Sequence, residues 1–342
     1  MATLKDVARA AGLSITQTSR ALNGHSDVNE ATRKRVKAVA RSMNYQANIS
    51  ARKLVTGRSG MVALVVPQSG DLPQSGLFIE GVAGLSAQFS ARAMQFVLHV
   101  ARQDEPILEV YRRLIGNGML DGFVLFSPHD NDPRAAFLRE QGIPFVVHGR
   151  IWPDADHAYF DIDNEGILYQ ITRHLTGLGH RRIAFLNGAP GHGFASARMR
   201  GYARALAEVG VAVDPALVRP GEMSEARGLV ATVELFRIDG LRPTAIVCSD
   251  VRLAKGVYTA LEALGLSIPG DVSVIAHDDH LPQLRASAFF PALSVTKAPL
   301  RDSWGPLVDC LNGLLDGAPL ADLQIVGCHE MILRNSTGPA PA

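Results

Sequence analysis

Ser14-Ile15-Thr16-Gln17-Thr18-Ser19-Arg20-Ala21-Leu22-Asn23 follows Thr3-Leu4-Lys5-Asp6-Val7-Ala8-Arg9-Ala10-Ala11 across Gly12-Leu13. Both stretches open as helices do. Thr3 with Asp6 approximates a capping box, and Ser14 with Gln17 fits the pattern fully. Val7, Ala8, Ala11, Leu13, Thr18 and Leu22 recur at helical spacing, so two short helices can share one small core. Gly12 supplies the left-handed turn between them. The spacing predicts a helix-turn-helix, whose second helix presents its N-terminal residues to the major groove. Ile15 can then meet a thymine methyl, Thr16 and Gln17 can reach base edges, and Arg20 can fork onto guanine. A capped helical hairpin of no special function would show the same caps.

Charge separates the two readings. Residues 1–58 hold eleven Lys or Arg against Asp6, Asp27 and Glu30, a net +8, while the whole chain is +1, leaving −7 for residues 59–342. A basic head on an acidic body is the footprint of nucleic-acid binding. The expected DNA contacts in the head are Thr3, Ser14, Ile15, Thr16, Gln17, Ser19, Arg20 and Asn23. A third helix follows, capped by Asn29, with Val36, Val39, Ala40 and Met43 inward and Arg33, Lys34, Lys37 and Arg41 outward.

With 342 residues the chain can form about two or three domains. Its composition is ordinary for a globular protein. No run approaches the roughly 18 apolar residues of a membrane helix, and the N-terminus lacks a signal-peptide core, so a cytoplasmic location is expected. Cys248, Cys310 and Cys328 are far apart, without metal spacing, and read as buried thiols.

After Tyr45-Gln46-Ala47-Asn48 comes Ile49-Ser50-Ala51-Arg52-Lys53-Leu54-Val55-Thr56-Gly57, basic and too short for a stable isolated helix. Leu-Lys-Asp-Val-Ala-x-x-Ala-Gly, Ser-Arg-Ala-Leu-Asn, Asn-Tyr-x-x-Asn and Ala-Arg-x-Leu together resemble the LacI/GalR family of bacterial transcriptional regulators. The resemblance implies a hinge helix here that folds on DNA against its dimer mate, with Leu54 wedged into the minor groove and Asn48, Ala51 and Arg52 beside it. Gln17, Thr18 and Gln46 depart from the family pattern, the first two affecting which operator is read.

From Met61 onward, short apolar runs alternate with amphipathic stretches in two series, one to His148 and one from Asn164 to Ala276, as in parallel sheets covered on both faces. Asp163-Asn164, Arg198-Met199-Arg200-Gly201-Tyr202, Ser249-Asp250 and Asp278-Asp279 are similar to landmarks of the family's periplasmic-binding-protein-like sensor domain. The expected fold class is thus an all-α helix-turn-helix head plus an α/β domain of two parallel-sheet, Rossmann-like lobes. The expected division is a head over 1–46, a hinge over 47–59 and a body over 60–342. Within the body, one lobe takes about 60–160 and 291–321, the other about 161–290 and 322–335.

Ligands bind beyond the carboxyl ends of such strands, which selects His148-Gly149-Arg150, Ser249-Asp250 and Asp278. The resemblance implies that Arg198, Asp278 and Ser249 contact an effector and that Met223 stands where an aromatic often stacks on it. Phe78, Arg150, Asp161 and Asp163 complete the effector set, although Arg150 could simply pair with a carboxylate.

His277-Asp278-Asp279-His280 cannot converge easily on a metal, because neighbours on a strand face opposite ways. Gly191-His192-Gly193 lacks the third glycine of a dinucleotide fingerprint, and no nucleophile–base motif can be named. No cofactor, metal site or catalytic residue is expected. The resulting expectation is a repressor that binds a pseudo-palindromic operator as a homodimer and is released by a small carbohydrate, an α-glucoside or similar oligosaccharide first among them. A corepressor such as a purine, or a body that senses nothing, remains open.

Overall fold

In the computed structural model the described residues are 2–22, 27–45, 57–67, 76–153, 156–238, 240, 242–280 and 282–341. The chain divides into two compact units at Gly60. The expected hinge at 47–59, with Asn48, Ala51, Arg52 and Leu54, lies almost wholly outside the described residues, as does Asn23.

The first unit holds α1 (Leu4–Ala11), α2 (Ile15–Leu22) and α3 (Glu30–Ser42). Thr3 and Asp6 form a reciprocal capping box, and Gly12 ends α1 at φ +64°, where a side chain would be strained. Asn29 caps α3 by accepting from Thr32 N at 2.8 Å. Val7, Ala11, Ala21, Val36 and Ala40 are buried together, with Leu13, Leu22, Val39 and Met43 packed on them. So small a core makes each cap matter.

The second unit contains two sheets, each of six strands among the described residues. In the first, the spatial order is β11 (Gln324–Gly327), β5 (Ala158–Ile162), β4 (Phe145–His148), β3 (Gly122–Leu125), β1 (Met61–Pro67) and β2 (Gln95–Ala101), all parallel. Period-two alternation sorts β1 between the covering layers. Val62, Leu64 and Val66 meet Leu85 and Phe89 of α4 (Gly76–Ala91) and Trp304 and Leu307 of α11 (Trp304–Leu315). Ala63 and Val65 meet Val110 and Tyr111 of α5 (Ile107–Gly116) and Ala135 and Leu138 of α6 (Pro133–Glu140).

The second sheet runs β12 (Glu330–Ile332), β10 (Ser294–Lys297), β9 (Ser273–Asp278), β8 (Ala245–Cys248), β6 (Ile183–Asn187) and β7 (Val218–Pro220), with β12 antiparallel at the edge. One face carries α7 (Asn164–Gly177) and α8 (Gly193–Ala207), the other α9 (Glu225–Arg237) and α10 (Val251–Ala263). These helix pairs approach through glycines. A Cβ on Gly201 would stand 2.0 Å from Glu165 O, one on Gly228 2.1 Å from Leu253 O, and one on Gly256 2.0 Å from Glu225 O.

The chain crosses between lobes after Ile162, after Lys297 and between Gly327 and Glu330. This corrects the expected lobe limits. β10 pairs with β9, so residues from 291 to 297 stay in the second lobe, and β11 pairs with β5, so the first lobe extends past 321. Cys248 and Cys310 are buried, but Cys328, on the last crossing, is exposed. Among the described residues no helix is long and apolar enough to cross a membrane, and no three metal-ligating side chains gather.

Candidate DNA face and interlobe cleft

On the head, Ser14 and Gln17 make the second capping box. Ser14 Oγ accepts from Gln17 N at 3.1 Å, and Gln17 Oε1 accepts from Ser14 N at 3.3 Å and from Ser14 Oγ at 3.2 Å. Ile15 is 49% exposed beside exposed Thr16. Thr18 turns inward and donates to Ser14 O at 2.9 Å. Thr3 is occupied by its own cap, donating to Asp6 at 2.7 Å.

Arg20 is not idle either, since its Nε donates to Asp27 at 2.8 Å. Both partners are about half exposed, and such a pair contributes only about 0–1 kcal/mol, so a base edge or phosphate can displace Asp27. Replacing Arg20 with alanine is expected to cost about 1–3 kcal/mol at particular base pairs. Lys37→Ala should instead weaken binding to every sequence and flatten its salt dependence. Titration of operator and random duplexes at several salt concentrations separates the two, and equal losses for Arg20→Ala would remove its base-reading role.

Between the lobes lie two adjoining chambers. The larger, about 650 Å³, has a wall of Val65, Val66, Leu77, Phe78, Phe126 and Trp304. The smaller, about 140 Å³, collects the polar groups Asp161, Asn164, Arg198 and Asp279, with Phe194 and Met223 beside them. His148 and Leu300 border both. Phe126, His148 and Trp304 form one aromatic cluster with centroids 5.2 to 5.6 Å apart.

Arg198 is buried and aimed by its neighbours. Its Nε donates to Asn164 Oδ1 at 2.8 Å, its Nη1 donates to Ser249 O at 2.6 Å, and its guanidinium lies 5.2 Å from the Phe194 ring centre. Burial lowers its pKa, opposed by Asp279, Asp250 and Asp161. Arg150 pairs with Asp161 at 2.8 Å, and Asp161 also accepts from Asn164 at 3.0 Å.

Several expected effector residues are placed elsewhere. Asp163 caps α7, accepting from Gly166 N at 2.9 Å, and borders neither chamber. Ser249 is fully buried and donates to Asn187 Oδ1 at 3.0 Å, reaching the cleft only by holding Arg198 through its carbonyl. Asp278 is turned away and accepts from His280 N at 2.7 Å. Asp279, one residue later, faces the chamber, because successive residues leaving a strand point to opposite sides. Burial alone would raise the Asp279 carboxyl, but His277, 3.4 Å away, with Arg198 and Arg252, holds it below the ordinary carboxylate range.

The sequence reading missed Phe126, Asn164, Phe194, Asp279 and Trp304. Only Asn164 and Asp279 stood in the motifs already quoted.

Burial pushes the His148 imidazole down to about 4, against a small opposing pull from Asp279. Between pH 6.5 and 4 the unfolded chain therefore binds a proton there that the folded chain does not. The stability tied to neutral His148 is present above pH 6.5 and declines as pH falls below it. From pH 7 to pH 5 this amounts to about 2 kcal/mol. Urea unfolding at both pH values should show a correspondingly shallower loss for His148→Gln, and parallel losses would refute the assignment.

With this geometry in view, the relatives are informative. The family of bacterial regulatory proteins of the lacI type matches residues 3–48, and the periplasmic binding protein-like domain matches residues 172–337. The HTH-type transcriptional regulator AglR of Rhizobium meliloti (strain 1021) is 38% identical over 341 residues, covering 99% of this chain and 95% of that protein. RafR of Escherichia coli is 36% identical over 282 residues, 82% of each chain. A solved complex of the regulator CelR with cellobiose superposes with TM-score 0.71 at 28% identity, covering 98% of this chain and 100% of that one. The lac repressor dimer bound to operator and the anti-inducer ONPF shares the fold, with TM-score 0.79 at 23% identity, covering 98% of this chain and 99% of that one. The capped helix-turn-helix, the two-lobed body and these likenesses along the whole chain make the protein a DNA-binding transcriptional regulator of the LacI family.

Proposed function

We propose that this regulator is a cytoplasmic repressor that grips a pseudo-palindromic operator as a homodimer and lets go when a neutral sugar, an oligosaccharide such as an α-glucoside, enters the cleft. The observation that carries the reading is the balance of charge around the two chambers. Asp132 faces Arg134, Asp161 faces Arg150, and Asp279 acts on Arg198. A site whose charges are matched suits a ligand of hydroxyls, which needs directed donors and acceptors and no counter-ion.

The aromatic cluster of Phe126, His148 and Trp304 offers ring surface on which a sugar face can rest. The cellobiose held by CelR agrees with a carbohydrate effector. Coupling to DNA would follow from differential affinity of the effector for two arrangements of the dimer.

A thermal-shift screen of the full chain with α-glucosides, galactosides, cellobiose, phosphorylated sugars and purines tests this. A true effector at about a hundred times its Kd stabilises by about 2.7 kcal/mol, enough for a shift of a few degrees. A response confined to purines, or to charged sugars, would overturn the proposal.

A further inference from the structure

At the rim of the cleft the lobes also touch directly. The loop after β3 in the first lobe reaches the N-terminal turn of α8 in the second. Asp130 N donates to Gly191 O at 2.7 Å and Gly193 N donates to Pro128 O at 3.4 Å. His129 and His192 form an antiparallel bridge with ring centroids 4.2 Å apart. Asp130 Oδ2 accepts from Ser196 Oγ at 2.7 Å.

Further along α8, the Arg200 guanidinium lies 4.5 Å from the ring centre of Trp152, a first-lobe residue, and is held by Glu165 at 3.1 Å. Trp152 O in turn accepts from Asn131 N at 3.1 Å. Gly193 is packed so closely that a Cβ there would stand 2.3 Å from Arg150 O.

We propose that these contacts form a clasp that holds the lobes closed from the rim, separately from anything bound within. Paired lobes of this kind move by default unless something ties them. Here the ties are backbone hydrogen bonds, one charge-assisted side-chain bond and a cation–π contact. They demand one relative position of the lobes, so opening breaks them together. Effector entry and escape then require rupture of the clasp, and its strength sets how often the cleft opens. The inference rests on the cleft being the effector site: Pro128, His129 and His192 border the chambers, whereas Asp130, Gly191, Ser196 and the Trp152–Arg200 contact do not.

Gly193→Ala is the direct test. Alanine is a favourable residue at the start of a helix, so the second lobe keeps its fold and the conflict is confined to Arg150 O. Hydrogen exchange of the full chain, measured without sugar, should show amides of residues 129–132 and 191–196 exchanging about tenfold faster. Strands β1 and β8 should keep their protection. Ser196→Ala, which removes one hydroxyl and clashes with nothing, should move the same amides in the same direction by a smaller factor.

Unchanged exchange at 129–132 in both variants overturns the clasp. If Gly193→Ala instead loosens the strands as well, Ser196→Ala decides: faster exchange confined to the two rim segments supports the clasp, and none overturns it. Because no sugar is present, failure here leaves the effector reading intact, and a failed sugar screen leaves the clasp intact.

Discussion

Asp279→Asn is expected to weaken effector binding by about 2–5 kcal/mol, about thirtyfold or more in Kd, while the protein without effector binds operator as before. Asp279 borders the polar chamber, is held by His277 3.4 Å away, and shares its charge with Arg198 and Arg252. Asparagine keeps the shape and removes the charge, leaving a buried guanidinium less compensated. Asp278→Asn, one residue away, should change effector affinity by no more than about threefold, because Asp278 is turned into a backbone contact with His280 N. Calorimetric titration of both variants with a sugar that shifts the melting temperature settles the assignment. A large loss for Asp278→Asn and a small one for Asp279→Asn would invert it. Arg198→Ala should abolish the response too, but with a lowered melting temperature, since Asn164 Oδ1 and Ser249 O lose their donor.

A second large effect is expected far from the cleft. Gly228→Ala or Gly256→Ala places a methyl group about 2 Å from the backbone of the facing helix, 2.1 Å from Leu253 O in one case and 2.0 Å from Glu225 O in the other. Carbonyl oxygens inside a helix cannot move aside as a flexible side chain does. The helices must separate, opening the layer that Ala231, Leu235, Val257 and Leu261 fill. Helix propensity favours alanine over glycine by about 1 kcal/mol, so a net loss of about 3 kcal/mol in denaturant unfolding would mean that packing outweighs it. Gly177→Ala, with open space around the added carbon, is the control and should be neutral or slightly stabilising. Equal effects at Gly177 and Gly256 would refute the packing argument.

The head was readable in the sequence because its signals are local. Caps at Thr3, Ser14 and Asn29 and the glycine turn at Gly12 each depend on residues within a few positions. The first-sheet strands up to β4 were legible as apolar runs for the same reason. β5 was not, because Asp161 interrupts it, and α11 was hidden by Gly305-Pro306 at its start. β10 and β11 exchange lobes through pairings with residues far away in the chain, which no local pattern encodes. The cleft was legible only to the nearest residue. Strand-end logic pointed to the corner where the polar chamber lies, but which of Asp278 and Asp279 borders it depends on where the strand stops alternating. Trp304 arrives from an element with no mark of function, and its place in the cleft emerges only from its ring contacts with Phe126 at 5.6 Å and His148 at 5.2 Å.

The cap at the start of α2 also bears on what the head can say to DNA. Gln17 Oε1 accepts twice from Ser14, so both of its lone pairs are engaged before any duplex arrives. What remains is the amide NH₂, a donor alone. A glutamine in that condition cannot make the two-point contact with adenine, which needs its oxygen as well as its nitrogen, nor can it accept from the amino group of cytosine. It can serve a phosphate oxygen, or a single major-groove acceptor: N7 of either purine, O6 of guanine or O4 of thymine. If α2 enters the major groove as expected, finer discrimination while the cap holds would fall to its neighbours: Ile15 toward a thymine methyl, Thr16 through its hydroxyl, and Arg20 once Asp27 releases it. The atom that steadies the helix is withdrawn from the alphabet the helix reads.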